Sequence, residues 1–316
     1  MKVIEHILNA KEPFISYEIV PPPRGRSVKD IIDAVELLAP HHPPWIDVTS
    51  HSSSADYQEM PDGTIQRKTY RKRPGTMGIC GIIQNRFRID TVAHVLCLGF
   101  TREETEDALI ELNFLGIHNV LALRGDAPNF KKIIAKGRTE NKYAADLVKQ
   151  IKGLREGQFL DRIEHSEPLD FGIGVAAYPE KHFEAASLKT DIKYLAQKVE
   201  AGADYIVTQM FFDNKAYFKF VKEAREAGIT VPIIPGIKVL RTAAQLTTLP
   251  KAFHIDLPDE LVDQVRENPD RAGDIGKEWA LRQAMELMES DEPGVHFYVL
   301  NDVTVVTDIV KELRKI

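Results

Sequence analysis

The sequence has few cysteines, and it has neither a long apolar run nor an excess of basic charge. Only two of its 316 residues are cysteine, Cys80 and Cys97. They are too few for a disulfide framework or a thiolate metal site, which favours a reducing, cytoplasmic setting. Continuous apolar stretches stay below about ten residues, so we expect no membrane-spanning helix. The 41 Lys and Arg against 47 Asp and Glu give a formal net charge of −6, which argues against nucleic acid or an anionic membrane as the main partner.

Several motifs of known chemistry are also missing. The histidines lack metal-ligand spacing such as H-E-x-x-H, so no metal site is predicted. No Walker A sequence, G-x-S-x-G elbow or cysteine nucleophile context occurs, which gives hydrolysis and phosphoryl transfer little support. Gly172 and Gly174 lack the third glycine of a dinucleotide fingerprint and are better explained by tight packing in a barrel. Charged residues interrupt residues 1–14, so we expect no signal peptide there.

Eight short apolar runs alternate with segments of helical periodicity. Nearly continuous apolar strands are typical of parallel sheets covered on both faces, and eight βα units predict a closed (β/α)8 TIM barrel. We therefore expect an α/β fold with one TIM-barrel domain over residues 1–316 and no appended regulatory domain. The predicted strands are residues 14–20, 45–50, 92–97, 118–124, 171–177, 204–210, 231–237 and 295–301. The predicted helices are residues 28–39, 102–115, 143–153, 183–201, 214–227, 241–249, 272–290 and 303–315.

Two stretches interrupt this alternation, residues 52–76 and 154–170. Both are polar or charged, and loops of this length in a compact domain are usually lids or mobile segments. The first holds a basic cluster, which we interpret as a solvated loop rather than a contact for a cofactor phosphate: Arg67, Lys68, Arg71, Lys72 and Arg73.

In TIM barrels the reactive groups lie at the carboxyl ends of the strands. Glu18 stands in an apolar strand, and a buried carboxylate without a partner is costly, so it needs either an ion pair or a function. His94 is better explained as a core histidine. Arg124 and Asp126 flank Gly125 in a sharp turn suited to a ligand, although a plain surface pair would give the same pattern. The polar residues at the predicted strand ends are Glu18, Thr49, His94, Arg124, Gly125, Asp126, Tyr178, Glu180, His182, Gln209 and Asn301.

A set of short motifs occurs in one order along nearly the whole chain. They are YEIVPP (17–22), VTSH (48–51), HVLC (94–97), ALRGD (122–126), KYAADLV (142–148), VAAYPEKH (175–182), AGADYIVTQMFFD (201–213), PGI (235–237) and HFYVLN (296–301). With these motifs the chain resembles the methylenetetrahydrofolate reductases, a family of flavin-dependent TIM barrels. LRGD, AAYPE and the TQ-x-F-F-D run are the most specific of them.

The resemblance implies a ping-pong oxidoreductase. NADH or NADPH would reduce bound FAD and leave, and the reduced flavin would pass hydride to 5,10-methylenetetrahydrofolate to give 5-methyltetrahydrofolate. The chain would then serve one-carbon metabolism and methionine biosynthesis. Two alternatives stay open: a pterin-binding TIM-barrel methyltransferase without flavin, and a catalytically silent folate- or flavin-binding subunit of a complex. The sequence is compatible with either nicotinamide and with a homo-oligomer.

The resemblance also assigns roles to individual residues. Glu18 corresponds to the general acid that helps open the folate's five-membered ring to an iminium ion, and Asp126 would face the pterin and stabilise that cation. Gln209 and Gln245 would also contact folate. The flavin-contact positions, with Arg124 and Lys198 as partners of the diphosphate, are Thr49, His94, Arg124, Gly125, Asp126, Tyr143, Ala144, Tyr178, His182, Asp191 and Lys198.

Four positions depart from the family pattern. Tyr194 and Gln197 stand where bacterial relatives often have Asn and Arg, which strengthens the basic cluster of residues 67–73 as a diphosphate contact. Asp302 stands where an Arg often lies near folate in relatives, so no folate contact is assigned to Asp302. Leu249 replaces a Phe that packs against the nicotinamide in some relatives, and this bears on the choice of electron donor.

Overall fold

Ten β-strands form the framework on which the polar groups are placed. The structure is a computed structural model, and it describes residues 1–126, 129–130, 132–290, 292–300 and 303–315. In chain order the strands are β1 (Phe14–Ile19), β2 (Trp45–Val48), β3 (Ser54–Glu59), β4 (Ile65–Tyr70), β5 (Asp90–Leu96), β6 (Asn119–Leu123), β7 (Gly172–Ala177), β8 (Tyr205–Met210), β9 (Ile233–Ile237) and β10 (Gly294–Leu300).

Eight of these strands close into a parallel barrel. Their order is β1, β10, β9, β8, β7, β6, β5 and β2, and β2 pairs back to β1. Each predicted apolar run forms one barrel strand, so the predicted fold class, a single-domain α/β TIM barrel, is confirmed. The runs are apolar throughout because one face of each strand lines the barrel interior and the other lies under the helices.

Helices cover the outside of the barrel and its amino-terminal end. They are α1 (Val3–Asn9), α2 (Lys29–Leu38), α3 (Thr76–Phe87), α4 (Arg102–Phe114), α5 (Ala144–Arg155), α6 (Leu188–Glu200), α7 (Asn214–Glu226), α8 (Gln245–Phe253), α9 (Asp259–Glu267), α10 (Ala272–Met288) and α11 (Val303–Leu313). Eight of them match the predicted helices, whereas the sequence does not predict α1, α3 and α9. The first and last of these three are short, and α3 carries two glycines in its first six residues, which weakens its helical signal.

Side-chain caps fix where several helices begin. The Thr101 hydroxyl accepts a hydrogen bond from the Glu104 amide, and the Glu104 carboxylate accepts one from the Thr101 amide, which confirms the predicted capping box. Asp213 caps α7 in the same way, by accepting from the Lys215 amide. Ser187 caps α6, so this helix starts five residues later than the periodicity of residues 183–201 predicts.

Residues 52–76 are not a loop throughout, which corrects that prediction. β3 and β4 form an antiparallel hairpin whose turn contains Asp62, and the Asp62 carboxylate accepts a hydrogen bond from the Thr64 amide. The hairpin was missed because its side chains are polar and almost all exposed, so it lacks an apolar face. Residues 156–171 contain no strand or helix, in agreement with the predicted long loop.

The short helix α1 closes the amino-terminal end of the barrel. Its Val3 and Ile7 pack in one apolar cluster with Trp45 and other interior residues of the lower barrel. The Asn119 side chain at the start of β6 accepts a hydrogen bond from the Val3 amide at 2.7 Å. The amino-terminal end of the barrel is therefore closed largely by apolar side chains. Across the described residues, we find no helix with the length and apolar character that a bilayer span requires.

Candidate active site

Two carboxylates lie side by side inside the barrel. Glu18 on β1 is the register partner of Asp47 on β2 and of Tyr298 on β10. Glu18 is 9% exposed and Asp47 only 1%, although both stand in strands that are otherwise apolar. Sequence reasoning singled out Glu18 and missed Asp47, whose signal is the same: a carboxylate in the middle of a buried strand.

His94 on β5 lies between these two carboxylates. Its Nε2 atom is 3.4 Å from Glu18 Oε2 and 3.4 Å from Asp47 Oδ2, and the residue is 6% exposed. Burial opposes the charged imidazolium, but the neighbouring Asp47 and Glu18 carboxylates outweigh it and raise the pKa of His94 above its usual 6.5. The histidine is thus buried, as a core residue would be, and at the same time in contact with the candidate acid.

Glu18 has the protonation behaviour of an acid that works near neutral pH. Burial raises the pKa of Glu18 to about 7, and the Asp47 charge adds to this, while His94 and Lys238 act in the opposite direction. A carboxyl with this pKa holds its proton in about half of the molecules at pH 7. It can therefore donate a proton to a bound substrate, which an ordinary surface glutamate rarely does.

Lys238 and Tyr298 complete this side of the site, and the sequence did not point to either. The buried Lys238 ammonium donates a hydrogen bond to the Tyr298 carbonyl at 3.3 Å. The Tyr298 hydroxyl passes over β9 and donates to the Thr208 carbonyl on β8 at 2.5 Å. Gly236 makes this crossing feasible, because a Cβ atom there would lie 2.5 Å from Tyr298 Cε2. Tyr298 therefore lies across β9, and its backbone is the register partner of Glu18.

A second group of predicted residues meets at the rim above β6 and β7. Arg124 forms an ion pair with Glu184 and lies 5.7 Å above the Tyr143 ring. Tyr178 and His182 pack edge to face with ring centroids 4.7 Å apart. The Arg124–Glu184 ion pair joins side chains that lie 60 residues apart in the chain.

Lys198 and Asp191 on α6 join this rim group. The Lys198 ammonium donates to the Ala176 carbonyl at the end of β7, over 2.7 Å. Burial lowers the pKa of Lys198 to about 8, and Asp191 acts against this shift. Asp191 also accepts a hydrogen bond from the His182 amide at 2.7 Å. Lys198 is therefore a cation that is held at the barrel mouth rather than in bulk solvent.

Some polar atoms at the mouth have no partner within the described residues. The Thr49 hydroxyl after β2 and the Arg124 Nε atom are buried and make no hydrogen bond there. Buried polar groups are nearly always satisfied, so these atoms mark a place for a ligand or ordered water. Gly125 has φ +78°, which turns the chain sharply and leaves Asp126 exposed beside the mouth.

The remaining predicted residues fall into three groups. Ala144 begins α5 beside Tyr143, and Gln209 at the end of β8 is half-buried, with its Oε1 accepting from the Met210 amide. Gln245 is engaged locally, because its Oε1 accepts from the amides of Arg241 and Thr242 and fixes the start of α8. Asn301 and Asp302 lie outside the described residues.

The two departures on α6 and the basic cluster lie outside the rim contacts. Tyr194 and Gln197 are exposed on α6. The basic cluster lies on β4 and just after it, and Arg73 donates a hydrogen bond to the Pro21 carbonyl in the loop after β1. The hairpin base is therefore tied to the strand that carries Glu18.

Comparison with known proteins places this barrel in a family. The sequence profile described as methylenetetrahydrofolate reductase matches residues 3–314. The chain belongs to the methylenetetrahydrofolate reductase family. The resemblance seen in the motifs is confirmed.

Relatives of this methylenetetrahydrofolate reductase family member come from plants, animals and bacteria. Methylenetetrahydrofolate reductase (NADH) 1 of Zea mays is 30% identical over 318 residues, covering 95% of this chain and 49% of the relative. The probable methylenetetrahydrofolate reductase (NADPH) of Caenorhabditis elegans is 27% identical, covering 98% and 43%. The 5,10-methylenetetrahydrofolate reductase of Escherichia coli is 28% identical, covering 91% and 86%. The chain spans about half the length of the plant and animal relatives.

A solved structure shares the fold. An uncharacterized protein from Clostridium thermocellum, described as binding two copies of 5-methyl-5,6,7,8-tetrahydrofolic acid, aligns with a TM-score of 0.60. Its sequence is 13% identical, and the alignment covers 98% of each chain. At this identity the likeness supports the barrel fold of the family member.

Proposed function

We propose that this protein reduces 5,10-methylenetetrahydrofolate to 5-methyltetrahydrofolate, with hydride from NADH or NADPH carried by bound FAD in a ping-pong reaction. The observation that carries the proposal is Glu18, a buried carboxylic acid with a pKa near neutrality at the mouth of a barrel of this family. We place this activity in cytoplasmic one-carbon metabolism and methionine biosynthesis.

The rim residues fit a flavin dinucleotide. Lys198 and Arg124 supply two cations for a diphosphate, and the unpartnered Arg124 Nε and Thr49 hydroxyl supply hydrogen-bonding groups that a ligand would satisfy. His182, Tyr178 and Tyr143 add ring surfaces beside them. When bound there, FAD would take hydride from the nicotinamide and give it to the folate.

The acid step follows from the position of Glu18. Its carboxyl donates the proton to the ring nitrogen that leaves the one-carbon bridge, and the electrons of the broken carbon–nitrogen bond stay on that nitrogen. The product of this step is an iminium ion at the bridge carbon, and the exposed Asp126 carboxylate stabilises its positive charge. Gln209, half-buried at the end of β8, contributes hydrogen bonds to the folate. Gln245 contributes through its Nε2, since its Oε1 is engaged at the start of α8.

The first test is the colour of the purified protein. We expect a visible flavin spectrum, and we expect Lys198→Met to weaken flavin binding by about ten- to a hundredfold, since it removes a charge-assisted bond to the diphosphate. Lys193→Met, on the exposed side of the same helix, is the matched control and should retain flavin like the wild type. The measurement is the flavin-to-protein ratio after dialysis.

Two outcomes of this test would contradict the proposal. A colourless protein that binds no added FAD would favour a pterin-binding methyltransferase. A yellow protein whose colour neither NADH nor NADPH bleaches would favour a silent binding subunit.

A further inference from the structure

Asp47 is a buried charge that the acid step does not use. It is the least exposed carboxylate of the site, and neither of its oxygens receives a well-formed hydrogen bond from the described residues. Its ion-pair contact is with His94 Nε2 at 3.4 Å. A carboxylate buried to this degree is strongly destabilised unless an opposite charge compensates it. The arrangement therefore requires an explanation beyond packing.

A single imidazole, that of His94, contacts both carboxylates. His94 Nε2 is equally distant from Glu18 and Asp47, which are register neighbours on β1 and β2. A protonated His94 neutralises one of them, and ionising the second adds a further negative charge in a buried place. The Asp47 charge next to Glu18 therefore adds to the effect of burial and raises the pKa of Glu18 further.

Other titratable groups also face the trio. The Lys238 ammonium after β9 favours ionisation of Glu18, and His51 lies after β2. Burial lowers the pKa of His296 on β10 to about 4, so this imidazole is neutral. The remaining titratable neighbours are neutral at pH 7 because burial raises the pKa of each: Tyr298 on β10, Tyr205 on β8 and Cys80 on α3.

We propose that Asp47 is a positioning residue for the acid step: its buried carboxylate holds the His94 imidazole beside Glu18 and, as a second negative charge, keeps the proton on Glu18. The inference rests on the proposed function of Glu18 as the acid. Without the Asp47 charge, the His94 imidazolium would pair with Glu18 alone and stabilise its ionised form. Glu18 would then be deprotonated at the pH where it has to donate a proton.

The test compares Asp47→Asn with the wild type. The amide keeps the shape of the side chain and removes the charge, so we expect the carboxyl pKa of Glu18 to fall by about one unit. The readout is infrared spectroscopy of the protein as purified, in which the protonated carboxyl band of Glu18 is identified by its loss in Glu18→Gln. The pH above which folate-dependent flavin reoxidation slows should fall by the same amount, so the rate at pH 8 should drop about tenfold. The rate of flavin reduction by nicotinamide should stay within about twofold of the wild type.

Asp90→Asn is the matched control. Asp90 also pairs with a histidine, His6, but at the amino-terminal end of the barrel, so its loss should leave both the Glu18 band and the pH dependence of flavin reoxidation unchanged. If Asp47→Asn fails to fold, Asp47→Ser removes the same charge with a smaller side chain and should give the same shift.

An unchanged Glu18 titration in the Asp47 variants would overturn the inference, whatever their activity. Equal slowing of both half-reactions without a shift in this pH dependence would also overturn it, because that pattern indicates a merely structural residue. The infrared titration needs no folate, so the inference about Asp47 and the proposed reaction can fail separately: absence of folate turnover in the wild type contradicts the reaction alone.

Discussion

Glu18→Gln should slow reoxidation of the reduced flavin by methylenetetrahydrofolate about a thousandfold, because a positioned general acid typically contributes between a hundredfold and ten-thousandfold. The amide fills the same buried place but has no acidic proton to give to the leaving ring nitrogen. Reduction of the flavin by NADH or NADPH transfers hydride without this proton, so its rate should stay within about twofold of the wild type. Rapid mixing of each substrate with the enzyme separately measures the two half-reactions.

The wild-type pH profile checks the same assignment. Glu18 must be protonated to act, and its pKa of about 7 means that the folate half-reaction should fall as pH rises through 7. This fall above pH 7 should be absent from the nicotinamide half-reaction. A variant that loses both half-reactions equally would show that Glu18 holds the structure or the flavin rather than donating a proton.

Gly276→Ala should lower the free energy of unfolding by about 3 kcal/mol. Gly276 lies in α10, where the helix packs so closely on the chain after β9 that an added Cβ would overlap the Leu240 carbonyl and lie 3.0 Å from Leu240 Cβ. The obstructing atoms belong to a buried backbone segment, which cannot turn away as a flexible side chain can. This segment follows directly on Lys238, so we also expect weaker folate turnover.

Gly78→Ala is the control for Gly276→Ala. Gly78 is also inside a helix, α3, but an added Cβ there meets nothing within 4 Å. Alanine has the higher helix propensity, so this substitution should stabilise the protein by about 0.5 kcal/mol. Thermal unfolding of the two variants beside the wild type measures both effects. Equal melting temperatures for the two variants would contradict the close approach of α10 to the barrel.

The barrel strands could be predicted because each is covered on both faces, and this burial leaves an uninterrupted apolar run in the sequence. Elements that lack an apolar run were missed because little of their surface is buried. The hairpin of β3 and β4 is exposed on both faces, and α1 has only seven residues, of which Val3 and Ile7 are buried. Their positions are decided by contacts with distant residues, such as Asn119 for α1.

Site residues could be predicted where the neighbouring sequence alone made them unusual. Glu18 in an apolar strand and the Arg124–Asp126 turn could be picked out locally, and the structure places them at the barrel mouth. The role of His94 could not be read locally, since its two carboxylate contacts come from β1 and β2, more than forty residues away along the chain. Lys238 and Tyr298 were missed because only barrel closure brings β10 next to β1, with β9 beside it.

The most direct test of the central claim is an anaerobic reoxidation experiment with the protein as purified. Its flavin is first bleached with NADH or NADPH, the nicotinamide is removed, and the reduced protein is mixed with 5,10-methylenetetrahydrofolate. We predict that the flavin colour returns and that one 5-methyltetrahydrofolate forms for each flavin reoxidised. A flavin that stays bleached in the presence of the folate would contradict the account.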